Sequence, residues 1–182
     1  LDALNKVLRA YVTDRGKIIN ETTLCESKNT QTPSAEMAMS WVNQVLDTKS
    51  RLDGVLATSF QGDKSCEAAI NEAMDTFINL NTRAPEFISL YIDEHLRKGT
   101  RFADDTTALE PVLDKTITIF RYVHEKDVFE RYYKMHLTRR HVSRTTARTL
   151  PRAVFRWNLK VDAATSPAVL ARFCTRITMF QG

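Results

Sequence analysis

Along residues 1–140 apolar residues recur at spacings of three and four, with no sustained two-residue alternation and no two-residue hairpin turn, so the chain reads as consecutive helices. The first runs to about Asn20, with Leu1, Leu4, Leu8, Tyr11 and Val12 on one face, and is weakened at Gly16. Residues 21–36, "ETTLCESKNTQTPSAE", are polar and turn-rich and read as a surface loop. The next helix opens at Ser34, an N-cap followed by Glu36, and sets Met37, Trp41, Val45, Leu52, Leu56 and Phe60 along one side. Gly62 and Asp63 punctuate before a helix carrying Ile70, Met74 and Phe77. "PEFISLYIDEHLRKG" is bounded by Pro85, which fits a first helical turn, and Gly99, which can take the left-handed conformation that closes a helix. Its inward face is Ile88, Tyr91, Ile92, His95 and Leu96, and Arg97 and Lys98 complement the C-terminal dipole. Beyond "TRFADDTT" comes a helix with Leu109, Val112, Leu113, Ile117, Phe120 and Val123, which Asp104-Asp105 would cap. The last, "EKDVFERYYKMHLTRR", has a broad stripe of Val128, Phe129, Tyr132, Tyr133, Met135 and Leu137. The fold class is all-α, an antiparallel helix bundle.

From His141 to Gly182 the pattern ends. This tail has no Glu, repeats Arg every fourth residue from Arg144 to Arg156, and scatters Thr, Ala and Pro without periodicity, so that propensity and patterning disagree. The charge changes with it: seven basic residues face one acid, Asp162, in residues 141–182, which leaves nineteen basic and twenty-one acidic groups in the first 140. The net charge of +4 therefore belongs to a poorly structured basic tail, not to the helices. Such a tail would hold nucleic acid only non-specifically, through counterion release, and an Arg-rich helical nucleic-acid-binding protein is the alternative reading of the chain.

At 182 residues with 43% apolar composition the chain can bury a core of about one domain. No uncharged apolar run approaches the roughly 20 residues that cross a bilayer, and the start has no cleavable leader pattern. It opens inside an amphipathic helix without an initiator Met, as a piece of something longer does. Cys25, Cys66 and Cys174 lie far apart, outside any CxxC or Cys/His ligand spacing, and read as ordinary thiols in a reducing compartment. The sequon Asn20-Glu21-Thr22 matters only in a secreted protein.

Catalysis needs a nucleophile, base or metal set that converges, and none is visible. His95, His124, His136 and His141 have no ligand spacing, and His95 and His136 sit beside apolar faces where a packed imidazole is the simpler reading. Five glycines give no phosphate-cradling loop, and no GxSxG or P-loop occurs. The mixture "ERYYKMHLTRR" could offer a nucleic-acid surface, but Tyr132 and Tyr133 fall in the apolar stripe and read as core. No catalytic, cofactor or metal residue is assigned.

Three stretches carry a resemblance: "FINLNTRAPEFISLYIDEHLRKG" (77–99), "LEPVLDKTITIFRYVHEKDVFERYYKMHLTRR" (109–140) and, more weakly, "MSWVNQVLDTKSRLDGVLATSF" (39–60). They resemble the last helical repeat of a cullin, most of all the cullin type that recruits BTB-domain adaptors, and Lys126 to Lys134 with His136, Leu137, Arg139 and Arg140 is the most specific part. The resemblance implies residues 1–123 as the last repeat of the stalk, 124–140 as the helix leading into the C-terminal domain, and 141–182 as a non-native tail. It also implies a non-catalytic scaffold of a ubiquitin ligase, cytoplasmic and nuclear, holding a BTB-domain adaptor at one end and a RING protein at the other. Both binding regions would lie outside residues 1–182.

After Arg140 the family's text is missing in the given frame but present in another. If each codon's third base is read with the next two, "VDAATSPAVL" (161–170) permits Arg-Cys-Gly-Asn-Phe-Thr-Ser-Arg-Leu, which resembles the family's CG-x-x-FT-x-x-L segment. Residues from about His141 therefore read as a frameshifted translation. Sequencing the transcript across the Arg140 codon tests this, and an intact frame there would defeat it.

Overall fold

The structure, a computed structural model, describes residues 2–27, 34–101 and 106–142. They form six helices and no strand: α1 (Asp2–Ser27), α2 (Ala35–Ser59), α3 (Lys64–Leu80), α4 (Ala84–Arg101), α5 (Thr106–Phe120) and α6 (Lys126–Val142). The all-α expectation holds. Of the tail expected to be disordered from His141, His141 and Val142 continue α6, while residues 143–182 and the Asp104-Asp105 cap lie outside the described residues.

Local chemistry accounts for the helix ends. The Ser34 hydroxyl accepts from the Met37 N–H at 3.2 Å and opens α2. At its far end the Phe60 and Gly62 N–H groups both donate to the Leu56 carbonyl, at 3.2 and 3.0 Å. Gln61 (φ 51°) and Gly62 (φ 73°) take the left-handed conformation that this closure requires. Asp63 then caps α3, accepting from the Cys66 N–H at 3.0 Å. That bond is the main reason its carboxyl lies below the ordinary aspartate value. A depressed carboxyl stabilises above its unfolded pKa and loses that contribution as pH falls through the folded value. Below about pH 4, Asp63→Asn is therefore expected to show a flatter fall in urea midpoint than the parent chain, and parallel curves would remove the cap from the account.

Three expectations need correction. The loop expected over 21–36 begins too early, because α1 continues helically through Ser27. The hydroxyls of Thr22 and Thr23 there donate back to the Ile18 and Ile19 carbonyls, at 2.8 and 3.0 Å, so these residues keep their hydrogen bonds inside the helix. Gly99 does not end α4, which runs on to Arg101; glycine permits left-handed closure without compelling it. The inward face of α1 is also rotated. Its buried positions are Asn5, Val12, Gly16, Ile19, Asn20 and Thr23, whereas Leu4 and Tyr11 are exposed.

The neighbours Ile18 and Ile19 give a direct check, since Ile18 is 52% exposed and Ile19 6%. Ile19→Val is expected to cost about 1 kcal/mol in urea unfolding and Ile18→Val close to nothing. Equal effects would refute this rotation.

Cross-helix contacts set the directions. Asn5 meets Ser65, Arg9 meets Glu72 and Asn20 meets Phe77, so α1 and α3 run in parallel. Trp41 against Phe87 and Asn43 against Tyr91 make α2 parallel to α4, and Asp93 against His136 ties α4 to α6. α4 sits centrally against α2, α5 and α6, while α1 leans mainly on α3. One continuous core runs through the bundle, from Val12 and Ile19 through Trp41, Phe77, Phe87, Ile88 and Ile92 to Phe120, Phe129 and Tyr133. The predicted faces of α2 and α3 are the buried ones. On α6 the stripe is narrower than expected, with Phe129, Tyr133 and His136 buried and Met135 exposed.

Candidate functional site

Nothing described has the environment of a working nucleophile. Burial, and then the hydrogen bond and charge of Asp63, push the Cys66 thiol up, which disfavours the reactive thiolate. Burial likewise raises Tyr91 and Tyr122. Among the described residues no group of three His, Cys, Asp or Glu side chains could hold a metal ion. Nor is any helix among them long and apolar enough to cross a membrane.

The histidines serve packing and ties between helices. His95 is half-buried, its Nδ1 2.9 Å from the Tyr91 carbonyl and its ring 4.2 Å from the Tyr91 ring. His136 is buried with Nδ1 3.9 Å from Asp93 Oδ2. His124 is exposed, with Nε2 2.9 and 3.0 Å from the two Asp75 carboxylate oxygens. The side chain of His141 is outside the description. Tyr133 is buried and Tyr132 half-buried, so the pair read as a possible nucleic-acid surface is mainly core.

What the structure brings together is a set of asparagine-centred bonds between helices. Asn20 is 7% exposed and joins three helices: its Oδ1 accepts from the Trp41 indole N–H at 2.9 Å, and its Nδ2 donates to the Phe77 carbonyl at 3.0 Å. The sequon residue is thus locked in the core. Asn5 Nδ2 donates to Ser65 Oγ at 2.7 Å, fixing the start of α1 on α3. Asn79 holds the α5–α6 turn, donating to the Tyr122 carbonyl at 2.8 Å and accepting from the His124 N–H at 2.9 Å. The Tyr122 hydroxyl donates to Asn71 Oδ1 at 2.7 Å, and the Tyr91 hydroxyl to Asn43 Oδ1 at 3.1 Å.

The physical effect of these bonds is directional. Apolar burial is nearly indifferent to small rotations and slides of a helix, whereas a buried amide that loses its partner costs about 1–3 kcal/mol. The bonds fix rotation and height where packing alone would not. Outside the bundle, α1 carries a second apolar stripe of Leu4, Val7, Tyr11 and Ile18 at spacings of three, four and seven. None of these asparagines was picked out in the sequence as a tie between helices, Asn20 having been noted only as part of a sequon, since periodicity counts apolar positions and their partners lie 21 to 60 residues away.

Residues 1–149 match the Cullin alpha solenoid domain. The chain is 42% identical to Cullin-3 of Schizosaccharomyces pombe over 143 residues, which is 76% of this chain and 18% of that protein. It is 46% identical to Cullin-3A of Arabidopsis thaliana over 106 residues, 58% of this chain and 14% of that protein. Against Cullin-3 of Dictyostelium discoideum it is 36% identical over 142 residues, 77% of this chain and 17% of that protein. The chain spans less than a fifth of the length of these relatives.

Proposed function

The chain belongs to the cullin family, and on that premise we propose that it is a stiff segment of a ubiquitin-ligase scaffold, a spacer between a BTB-domain adaptor and a RING protein. The segment makes and breaks no bonds. It acts by keeping two bound partners at a fixed separation and angle, so that transfer between them becomes effectively intramolecular. The observation that carries this reading is the set of hydrogen bonds between helices centred on Asn20, Asn5 and Asn79, which give the bundle a fixed geometry. The second apolar stripe on α1 suits the seam with a neighbouring helical repeat, because stacked repeats bury a continuous core.

The test is a graft. Residues 1–140 replace the matched segment of fission-yeast Cullin-3, and adaptor capture, RING capture and ubiquitin transfer are measured together. All three are expected to survive. A second graft carries a flexible Gly/Ser insert of about 20 residues between Gln61 and Gly62. It should keep both captures and lose most of the transfer. Undiminished transfer through the flexible insert would sink the spacer reading.

The tail from about His141 belongs to the same proposal as out-of-frame text with no part in the spacer. α6 continues helically to Val142.

A further inference from the structure

Asn71, Asp75 and Asn79 stand four residues apart along α3, one half-buried row on its surface, and each bonds to the turn between α5 and α6. We propose that this row is an elbow clamp: it sets the direction in which α6 leaves the bundle, and with it the direction of whatever follows α6 in the scaffold. The inference rests on the spacer reading and deepens it, by naming the residues that aim the far partner.

The bonds fall on Tyr122 and His124, either side of the buried Val123. The Tyr122 hydroxyl donates to Asn71 Oδ1 at 2.7 Å, while its carbonyl accepts from Asn79 Nδ2 at 2.8 Å. One residue is thus held at both ends, by positions 71 and 79 of α3, which lie about 12 Å apart along the helix. A single bond fixes a position, but two bonds so spaced fix an angle. Asn79 Oδ1 also accepts from the His124 N–H at 2.9 Å, so its amide pairs with the carbonyl and the N–H that flank Val123, as the backbone of a neighbouring strand would. Between the two asparagines the His124 ring reaches Asp75. A carboxylate can only accept, so Nε2 carries the proton and donates to the two oxygens at 2.9 and 3.0 Å.

The α5–α6 segment does not supply this restraint itself. Its own bonds, from the Val123 N–H to the Phe120 carbonyl at 3.1 Å and from the Lys126 N–H to the His124 carbonyl at 2.9 Å, shape the turn but move with it. Phe129 seats the start of α6 on Phe120, with ring centroids 4.6 Å apart, and an apolar contact of this kind tolerates small tilts. The clamp removes that freedom by tying the turn to α3, which packs mainly on α1. Leverage magnifies the effect: the 17-residue α6 is about 25 Å long, so a tilt of about 10° moves its far end by about 4 Å. Reacting groups must be held within about 10–20° of the productive geometry, so a loose elbow carries transfer away from some acceptor amines and toward others.

Two measurements separate the clamp from the spacer role. In the full 182-residue chain, labelled with nitrogen-15, residual dipolar couplings of the backbone N–H groups give the angle between α3 and α6. Asn79→Asp keeps an oxygen for the His124 N–H but sets a charged oxygen against the Tyr122 carbonyl. It is expected to turn α6 by about 10–20° while α2, α3 and α4 keep one common frame. Should that variant unfold, Tyr122→Phe combined with His124→Ala removes the hydroxyl and the exposed imidazole, leaves α3 untouched, and is expected to turn α6 as well. An unchanged angle in every folded variant would overturn the clamp, whatever a ligase does. In the graft of residues 1–140 into fission-yeast Cullin-3, the same variants should keep adaptor and RING capture and redistribute transfer among the lysines of one bound substrate, the preferred lysine losing about tenfold. A merely structural weakening would lower every lysine alike. An unchanged lysine preference beside a turned α6 would overturn the positioning role and leave the spacer standing, whereas undiminished transfer through the flexible insert would bring down both.

Discussion

Gly16→Ala is expected to destabilise the chain by about 3 kcal/mol, against the usual direction for glycine in a helix, where alanine gains about 1 kcal/mol. A Cβ at Gly16 would lie 2.1, 2.5 and 2.6 Å from Cγ, Cδ2 and Cβ of Phe77. Rotating the Phe77 ring cannot relieve all three, because its Cβ does not move with χ1. Phe77 is itself fully buried and has no empty space to enter. The new methyl group must therefore push α1 away from α3, loosening the Asn20 and Asn5 bonds on either side. Gly54, in α2, is the matched control, since a Cβ there meets nothing within 4 Å. Gly54→Ala should stabilise by about 0.5–1 kcal/mol. Thermal and urea unfolding of the two variants decide the matter: a neutral or stabilising Gly16→Ala would mean that the two helices do not approach this closely.

The same residue illustrates what a sequence reveals and what it conceals. Read along the chain, Gly16 is a weak point in a helix; in the fold it is what lets two helices touch. Both readings rest on the missing Cβ, and only the partner, 61 positions away, separates them. The faces of α2 and α3 were legible because Met37, Trp41, Val45, Leu52, Ile70, Met74 and Phe77 repeat at helical spacing and each lies on a single buried side. Ser34 and Asp63 were legible because a cap acts on a neighbour three residues away.

α1 was misread because it has two apolar stripes, and a periodicity count cannot say which faces the core. Leu4 and Tyr11 look like core residues beside Asn5, yet Asn5 is buried with its Nδ2 on Ser65. Family likeness entered the sequence through the text of α4, α5 and α6.

Asn20→Ala tests the directional bonds at their most connected point and is expected to cost about 3 kcal/mol. The loss comes from two groups that stay buried after the amide is gone, the Trp41 indole N–H and the Phe77 carbonyl, not from the small apolar area removed. A double-mutant cycle with Trp41→Phe separates the two. Trp41→Phe removes the donor but strands Asn20 Oδ1, so each single change leaves a buried polar atom that the double change does not. The combined variant should therefore lose less than the sum of the two, by about 1 kcal/mol. Strict additivity would mean that the indole and the amide do not interact. Asn20→Asp completes the logic: protonated, it can accept from Trp41 and donate to the Phe77 carbonyl, whereas ionised it faces that carbonyl with a charged oxygen, so its cost should rise with pH as the buried carboxyl, whose pKa burial raises, loses its proton. If instead Asn20→Ala unfolds like an ordinary surface variant, packing alone sets the geometry of α1, α2 and α3, and the stiffness proposed for the spacer loses its main physical support.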